Sequence, residues 1–104
     1  MNKLIQEGKV AVLYSPGFGA GWYSWHGIAE LLFDPVVVVL VLSKQDDYEE
    51  RILQHCESTY GEEYYGGIYD LTVSWVPEGT KFVITEYDGN EGIDYMEDFV
   101  WQQA

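Results

Sequence analysis

The 104 residues predict a single α+β domain spanning positions 1–104. The expected order is an N-terminal strand, two to three short central helices, and a C-terminal antiparallel meander of three to four strands. Three observations carry this. A short β-rich apolar run, Lys9 to Tyr14, stands near the start. The middle of the chain has helical periodicity, clearest where Tyr48, Ile52, Cys56 and Tyr60 recur every fourth residue. After Gly66-Gly67 the period drops to two. Hydrophobic residues make up 47% of the chain, enough apolar mass for one core.

Each element has a local cause. KVAVLY reads as a buried strand and is stopped by Ser15-Pro16-Gly17. Gly17 to Gly21 holds three glycines in five residues and is expected to be irregular. Ser24 is placed to cap a short helix from about Trp25 to Phe33, with Trp25, Ile28, Ala29 and Leu32 on one face. Asp34-Pro35 is a helix start, an N-cap followed by a residue suited to the first turn. The segment Val36 to Leu42 has the composition of a buried strand, but the cap favours helix. On that reading valines point in every direction, and some are exposed or bury against another chain. The third helix follows Asp47, whose spacing to Glu50 is that of a capping box, and ends at Gly61.

In the C-terminal part, Leu71, Val73 and Trp75 alternate with Thr72, Ser74 and Val76. Pro77 to Thr80 is a turn, and Lys81 to Tyr87 alternates again, so these two runs are expected to pair as a hairpin. Asp88 to Gly92 is a second turn. Ile93 to Met96 returns as a strand, and Phe99, Val100 and Trp101 are expected to close the sheet edge.

Charge excludes several functions. Eighteen acids against five bases give a net charge of −13. Nucleic-acid binding needs Lys and Arg to displace counterions, so no direct nucleic-acid contact is expected. An anionic membrane surface is disfavoured for the same reason. The longest apolar run, Val36 to Leu42, falls far short of the roughly 18 residues that a membrane-spanning helix needs. No secretory signal is read at the start, so a cytoplasmic location with Cys56 reduced is expected. The charge is uneven. Residues 1–45 hold three acids and three bases; residues 46–104 hold 15 acids and two bases and carry the whole −13. Acids that alternate with Tyr, Ile, Val and Trp decorate folded elements rather than a tail.

One segment is not explained by composition: Ser15 to Gly27, SPGFGAGWYSWHG. Glycines there let backbone N–H groups approach a ligand, and Phe18, Trp22, Tyr23 and Trp25 can stack or anchor. His26 can donate a hydrogen bond or titrate. The candidate ligand- or partner-binding residues are therefore Ser15, Gly17, Phe18, Gly19, Gly21, Trp22, Tyr23, Trp25 and His26. The loop is not a phosphate loop, because it lacks Gly-Lys-Ser/Thr and the spacing of a dinucleotide fingerprint. The competing reading is a lid whose tryptophans fold back on the core.

Other chemistry is weakly signalled. His55 and Cys56 point about 100° apart on a helix and make a poor chelating pair, so no metal or cofactor is expected. No nucleophile elbow surrounds Ser15 or Ser24, and no catalytic residue is assigned. Tyr60, Tyr64, Tyr65 and Tyr69 either pack beneath the sheet or, with Glu62, Glu63 and Asp70, form an acidic, tyrosine-rich contact surface.

VLYSPGFGAGW, LLFDP, YYGGIYDLTVSWVPEGTKF and ITEYDGNEGI together resemble a family of small proteins encoded by tailed bacteriophages. The likeness covers almost the whole chain. It implies a phage origin and a bacterial host cytoplasm, and it implies no activity. Similar sequences read DPE-V-V-E-x-V-L after LLF, whereas this chain has Val36 and Val39 where the pattern has acids. That supports the helix and predicts an apolar patch for association, with a second copy of the chain as one partner. The expected function is a non-enzymatic phage accessory protein that binds, and inhibits, a host protein with a basic patch, such as a defence or nucleic-acid-handling factor. Two alternatives stay open: a module that holds a nucleotide-like ligand in the glycine-aromatic loop, and a virion or assembly component.

Overall fold

The computed structural model describes residues 2–19 and 21–95. These form three layers. The middle layer is an antiparallel sheet in the order β1 (Ile5–Gln6), β2 (Lys9–Tyr14) and β3 (Thr72–Pro77). Helix α1 (Tyr23–His26) reaches both sides of this sheet through Tyr23, single 3₁₀ turns stand at Ala29–Leu32 and Ile68–Asp70, and helices α2 (Pro35–Ser43) and α3 (Tyr48–Tyr60) pack on one side. A two-stranded hairpin, β4 (Phe82–Tyr87) with β5 (Asn90–Tyr95), covers the other. The fold class is α+β, as the change of period predicts.

Strand β2 organises both cores. Successive side chains of a strand point to opposite faces. Ala11 and Leu13 enter the helical core with Trp22, Leu31, Val37, Val38, Val41, Ile52 and Cys56. Val10 and Val12 face the other way, onto Leu32 and Val76, where Phe82, Ile84, Ile93 and Tyr95 of the hairpin pack. Burial on both faces explains why KVAVLY has no polar alternation.

Strand pairing departs from the expected meander at one point. β3 pairs with β2 along its length, Lys9 opposite Pro77 through Tyr14 opposite Thr72, and β4 pairs only with β5 among the described residues. The alternation in 82–84 specifies a half-buried strand. A half-buried strand can lie beside β3 or stack over it, and here it stacks, putting Phe82 and Ile84 on the second core. A further short strand, β1, precedes the expected first strand, and a Glu7-Gly8 turn with positive φ at both residues folds it back onto β2. The expected turn at Asp88–Gly92 is shorter: Asp88 and Gly89 alone make it, both at positive φ, and Asn90 to Gly92 belong to β5. Met96 and the apolar patch Phe99, Val100 and Trp101 lie outside the described residues.

The helices follow their caps with two corrections. Asp34 accepts hydrogen bonds from the backbone N–H of Val36 and Val37, at 2.9 and 3.2 Å, and the valine run is a helix. Val37, Val38 and Val41 are buried, while Val36 and Val39 are 48% and 54% exposed. The expected helix over Trp25–Phe33 is instead two short pieces. Gly27 ends the first in the left-handed region (φ 64°), and Trp22, not Ser24, precedes it. Asp47 also fails as a cap. It adopts φ 64° and its carboxylate pairs with Arg51 at 3.1 Å.

Candidate functional site

The glycine-aromatic loop is held by a buried carboxylate. Glu91, on β5, is 2% exposed and accepts from the Ser15 N–H (2.9 Å), the Ser24 N–H (2.8 Å) and the Ser24 hydroxyl (2.8 Å). Its own N–H donates to the Ser15 carbonyl at 2.8 Å. Hydrogen bonds to an ionised acceptor are the strong ones. One side chain therefore ties the start of the loop, the first helix and the hairpin together. The expected turn at Asp88–Gly92 leaves Glu91 without a role, whereas the residue lies in β5. Its only signal was an acid at an alternate position of a strand.

The loop glycines make close approaches to these groups. A Cβ on Gly17 would overlap the Asp70 carboxylate, and one on Gly21 would overlap the Ser24 hydroxyl. Gly19 donates its N–H to the Asp88 carbonyl at 3.1 Å, and a Cβ on Gly89 would overlap the Gly19 carbonyl. Apart from the Ser24 hydroxyl, the groups packed against the loop are the Asp70 and Glu91 carboxylates and the Asp88 carbonyl, which repel a phosphate.

Its aromatic residues divide. Trp22 is fully buried and its indole N–H donates to the Leu31 carbonyl at 2.7 Å. Tyr23 is half-buried and touches both cores. Phe18 and Trp25 face outward, 70% and 59% exposed. The His26 ring lies against Tyr65, centroids 5.3 Å apart, with Nδ1 3.4 Å from Glu63 and a buried Nε2 that has no protein partner. Ser15 is buried, and its hydroxyl is likewise without a partner.

Trp25 leads to a second feature. Its ring meets Tyr64 edge-on, with centroids 6.1 Å apart. Tyr64 forms part of a groove of about 600 Å³ between α3 and residues 63–69. Leu53, Tyr65 and Ile68 supply apolar surface. Asp47, Glu49, Glu50, Glu57 and Glu63 supply five carboxylates, and no lining residue is basic. Asp47 is partly neutralised by Arg51 beside it. Tyr64 and Tyr69 are 68% and 81% exposed. The tyrosine cluster of the sequence therefore splits: Tyr65 is buried and donates to the Cys56 and Gly61 carbonyls, while Tyr64 and Tyr69 face solvent.

A second buried carboxylate, Asp34, clips α2 to α3. Besides capping α2 it contacts His55 Nε2 at 2.7 Å and accepts from the Tyr60 hydroxyl at 2.6 Å. Burial pushes its carboxyl up, but the hydrogen bonds from Tyr60, His55 and the Val37 N–H, with the His55 charge, outweigh burial and hold it below the ordinary 3.8. Burial, with the Asp34 and Glu57 carboxylates nearby, pushes the Cys56 thiol up to about 12, so it stays protonated and unreactive. Among the described residues no three His, Cys, Asp or Glu side chains converge to hold a metal ion, and no helix is long and apolar enough to cross a membrane.

No protein-family model, curated protein or solved structure matches the chain.

Proposed function

We propose that this protein is a phage accessory protein that works by adhesion, binding and inhibiting a bacterial host protein through its acidic, tyrosine-lined groove. The groove carries the reading: five carboxylates and two exposed tyrosines surround about 600 Å³, with no base among the lining residues. Such a cavity complements a basic segment of a partner. The net charge of −13 steers that partner inward, and exposed Trp25 and Tyr64 anchor it on contact. The carboxylates also set the sign of the partner, because a phosphate backbone or anionic headgroup is repelled. The reading assigns the loop's buried half to support: Glu91 and Trp22 fix the first helix, and that helix presents Trp25 beside Tyr64.

A pull-down from bacterial lysate tests this, with the wild type and a Glu49→Lys/Glu57→Lys variant run in parallel at low and high salt. The expected result is a specific protein captured by the wild type at low salt, weakened by salt and lost from the variant. Capture of the same proteins by both forms would remove the groove from the function. Recovery of no specific partner at low salt would count against adhesion itself.

A further inference from the structure

On the reading that the groove is the binding face, its chemistry narrows the occupant. We infer that the groove recognises arginine side chains of an extended peptide segment and discriminates them from lysine.

Three observations lead there. The first is charge. Glu49, Glu50 and Glu57 come from α3, Glu63 faces them from the other wall, and the site is complementary to a cation. The second is that these acids form no chelating set. No three metal-ligating side chains converge among the described residues, so a compact ion finds no chelating set. A cation spread along a peptide engages the acids one or two at a time. The third is the exposed aromatic surface of Tyr64 and Tyr69. A planar guanidinium stacks on such rings while its fork of N–H groups reaches a carboxylate. A compact, strongly hydrated ammonium gains less from either contact. Leu53 and Ile68 offer apolar surface to the methylene stem. Its volume lies within the range of about 300–1,000 Å³ usual for ligand pockets.

The test uses the whole chain and two peptides of equal length and charge, one arginine-rich and one with every arginine replaced by lysine. Fluorescence anisotropy at low salt reads the binding. The arginine peptide is expected to bind about tenfold more tightly. The variant Tyr64→Leu/Tyr69→Leu should bring that ratio near one by weakening the arginine peptide alone. Both tyrosines are exposed, and circular dichroism checks that the variant is folded. Glu49→Gln/Glu57→Gln should weaken both peptides, whereas Glu78→Gln/Asp94→Asn, which removes the same charge outside the groove, should leave both unchanged. Equal affinity for the two peptides, lost on the groove substitutions, overturns the arginine inference and leaves the groove as a cation-binding face. An arginine preference that survives the tyrosine substitutions overturns it too. Equal loss in the two charge-matched pairs, or binding of neither peptide, overturns both readings.

Discussion

The glycine-aromatic loop and the acidic groove draw on the same residue types and use them in opposite ways. Both hold tryptophan or tyrosine beside glycine and acid. In the loop, Trp22 is interred and hydrogen-bonded, the glycines sit against other groups, and Glu91 is buried with three donors on it. In the groove, Tyr64 and Tyr69 face solvent and the acids are spread around open space. Burying a charge requires partners that compensate its lost hydration, and the loop supplies them. In the groove Asp47 pairs with Arg51 and Glu63 lies beside His26, but Glu49, Glu50 and Glu57 make no ion pair among the described residues and remain free for a ligand. A distinctive motif is thus a poor guide to a binding face; what matters is whether its polar groups are already satisfied within the fold.

The sharpest way to break this comparison is Trp22→Ala. The substitution empties the centre of the helical core and leaves the Leu31 carbonyl without its donor. The expected cost is about 3–5 kcal/mol, a large part of the stability of a domain this size. Urea denaturation followed by fluorescence measures it. A loss below about 1 kcal/mol would place Trp22 outside the cooperative core.

Glu91→Ala comes next. It strands the N–H groups of Ser15 and Ser24 in a part-buried pocket, and about 2–3 kcal/mol should be lost. Glu91→Gln keeps one acceptor oxygen but loses the charge, and should cost less. Hydrogen exchange separates a local from a global effect. The Ser15 and Ser24 amides should exchange faster in Glu91→Ala, while the Cys56 amide in α3 follows global stability.

Asp34 gives a pH signature of the same kind. Its folded-state pKa lies below the ordinary 3.8, so the charged form is favoured by folding. This contribution is fully present above 3.8 and is lost as pH falls through the lower folded value. Urea midpoints measured from neutral pH downward should therefore fall more steeply below about pH 4 in the wild type than in Asp34→Asn. Parallel curves would mean that the clip between α2 and α3 adds nothing.

Much of the fold was legible in the sequence because its causes are local. Asp34-Pro35 decides that a run of four valines and Leu-Val-Leu is helical, against its β composition, since a cap with two N–H bonds acts on the first turn whatever follows. The stripe Tyr48, Ile52, Cys56, Tyr60 fixes the buried side of α3 in the same way. What was not legible is non-local. Nothing near Leu71–Val76 states that its partner is Lys9–Tyr14, some 60 residues away, rather than Lys81–Tyr87, a turn away. Glu91 looked like one acid among 18, because its burial depends on Ser15 and Ser24, which the fold brings to it. The same holds for the candidate site. The acids and tyrosines of residues 60–70 were visible as a group, but the second wall of the groove comes from α3, where Asp47 and Glu50 showed only the spacing of a capping box.

The smallest expected effect is the one that separates the two regions most directly. Tyr64→Ala and Glu57→Gln should each change stability by no more than about 0.5 kcal/mol, because neither removes a buried contact or strands a buried donor. Glu57→Gln should if anything stabilise, since it thins a crowd of like charges on a chain of net −13. Salt tests the cause. Screening should raise the melting temperature of the wild type more than that of a Glu49→Gln/Glu57→Gln variant, whose groove has less repulsion left to screen. If Tyr64→Ala instead cost more than about 1.5 kcal/mol, the ring would be acting as core, as Trp22 does. The groove would then be another part of the scaffold, with its tyrosine surface committed to folding rather than to a partner.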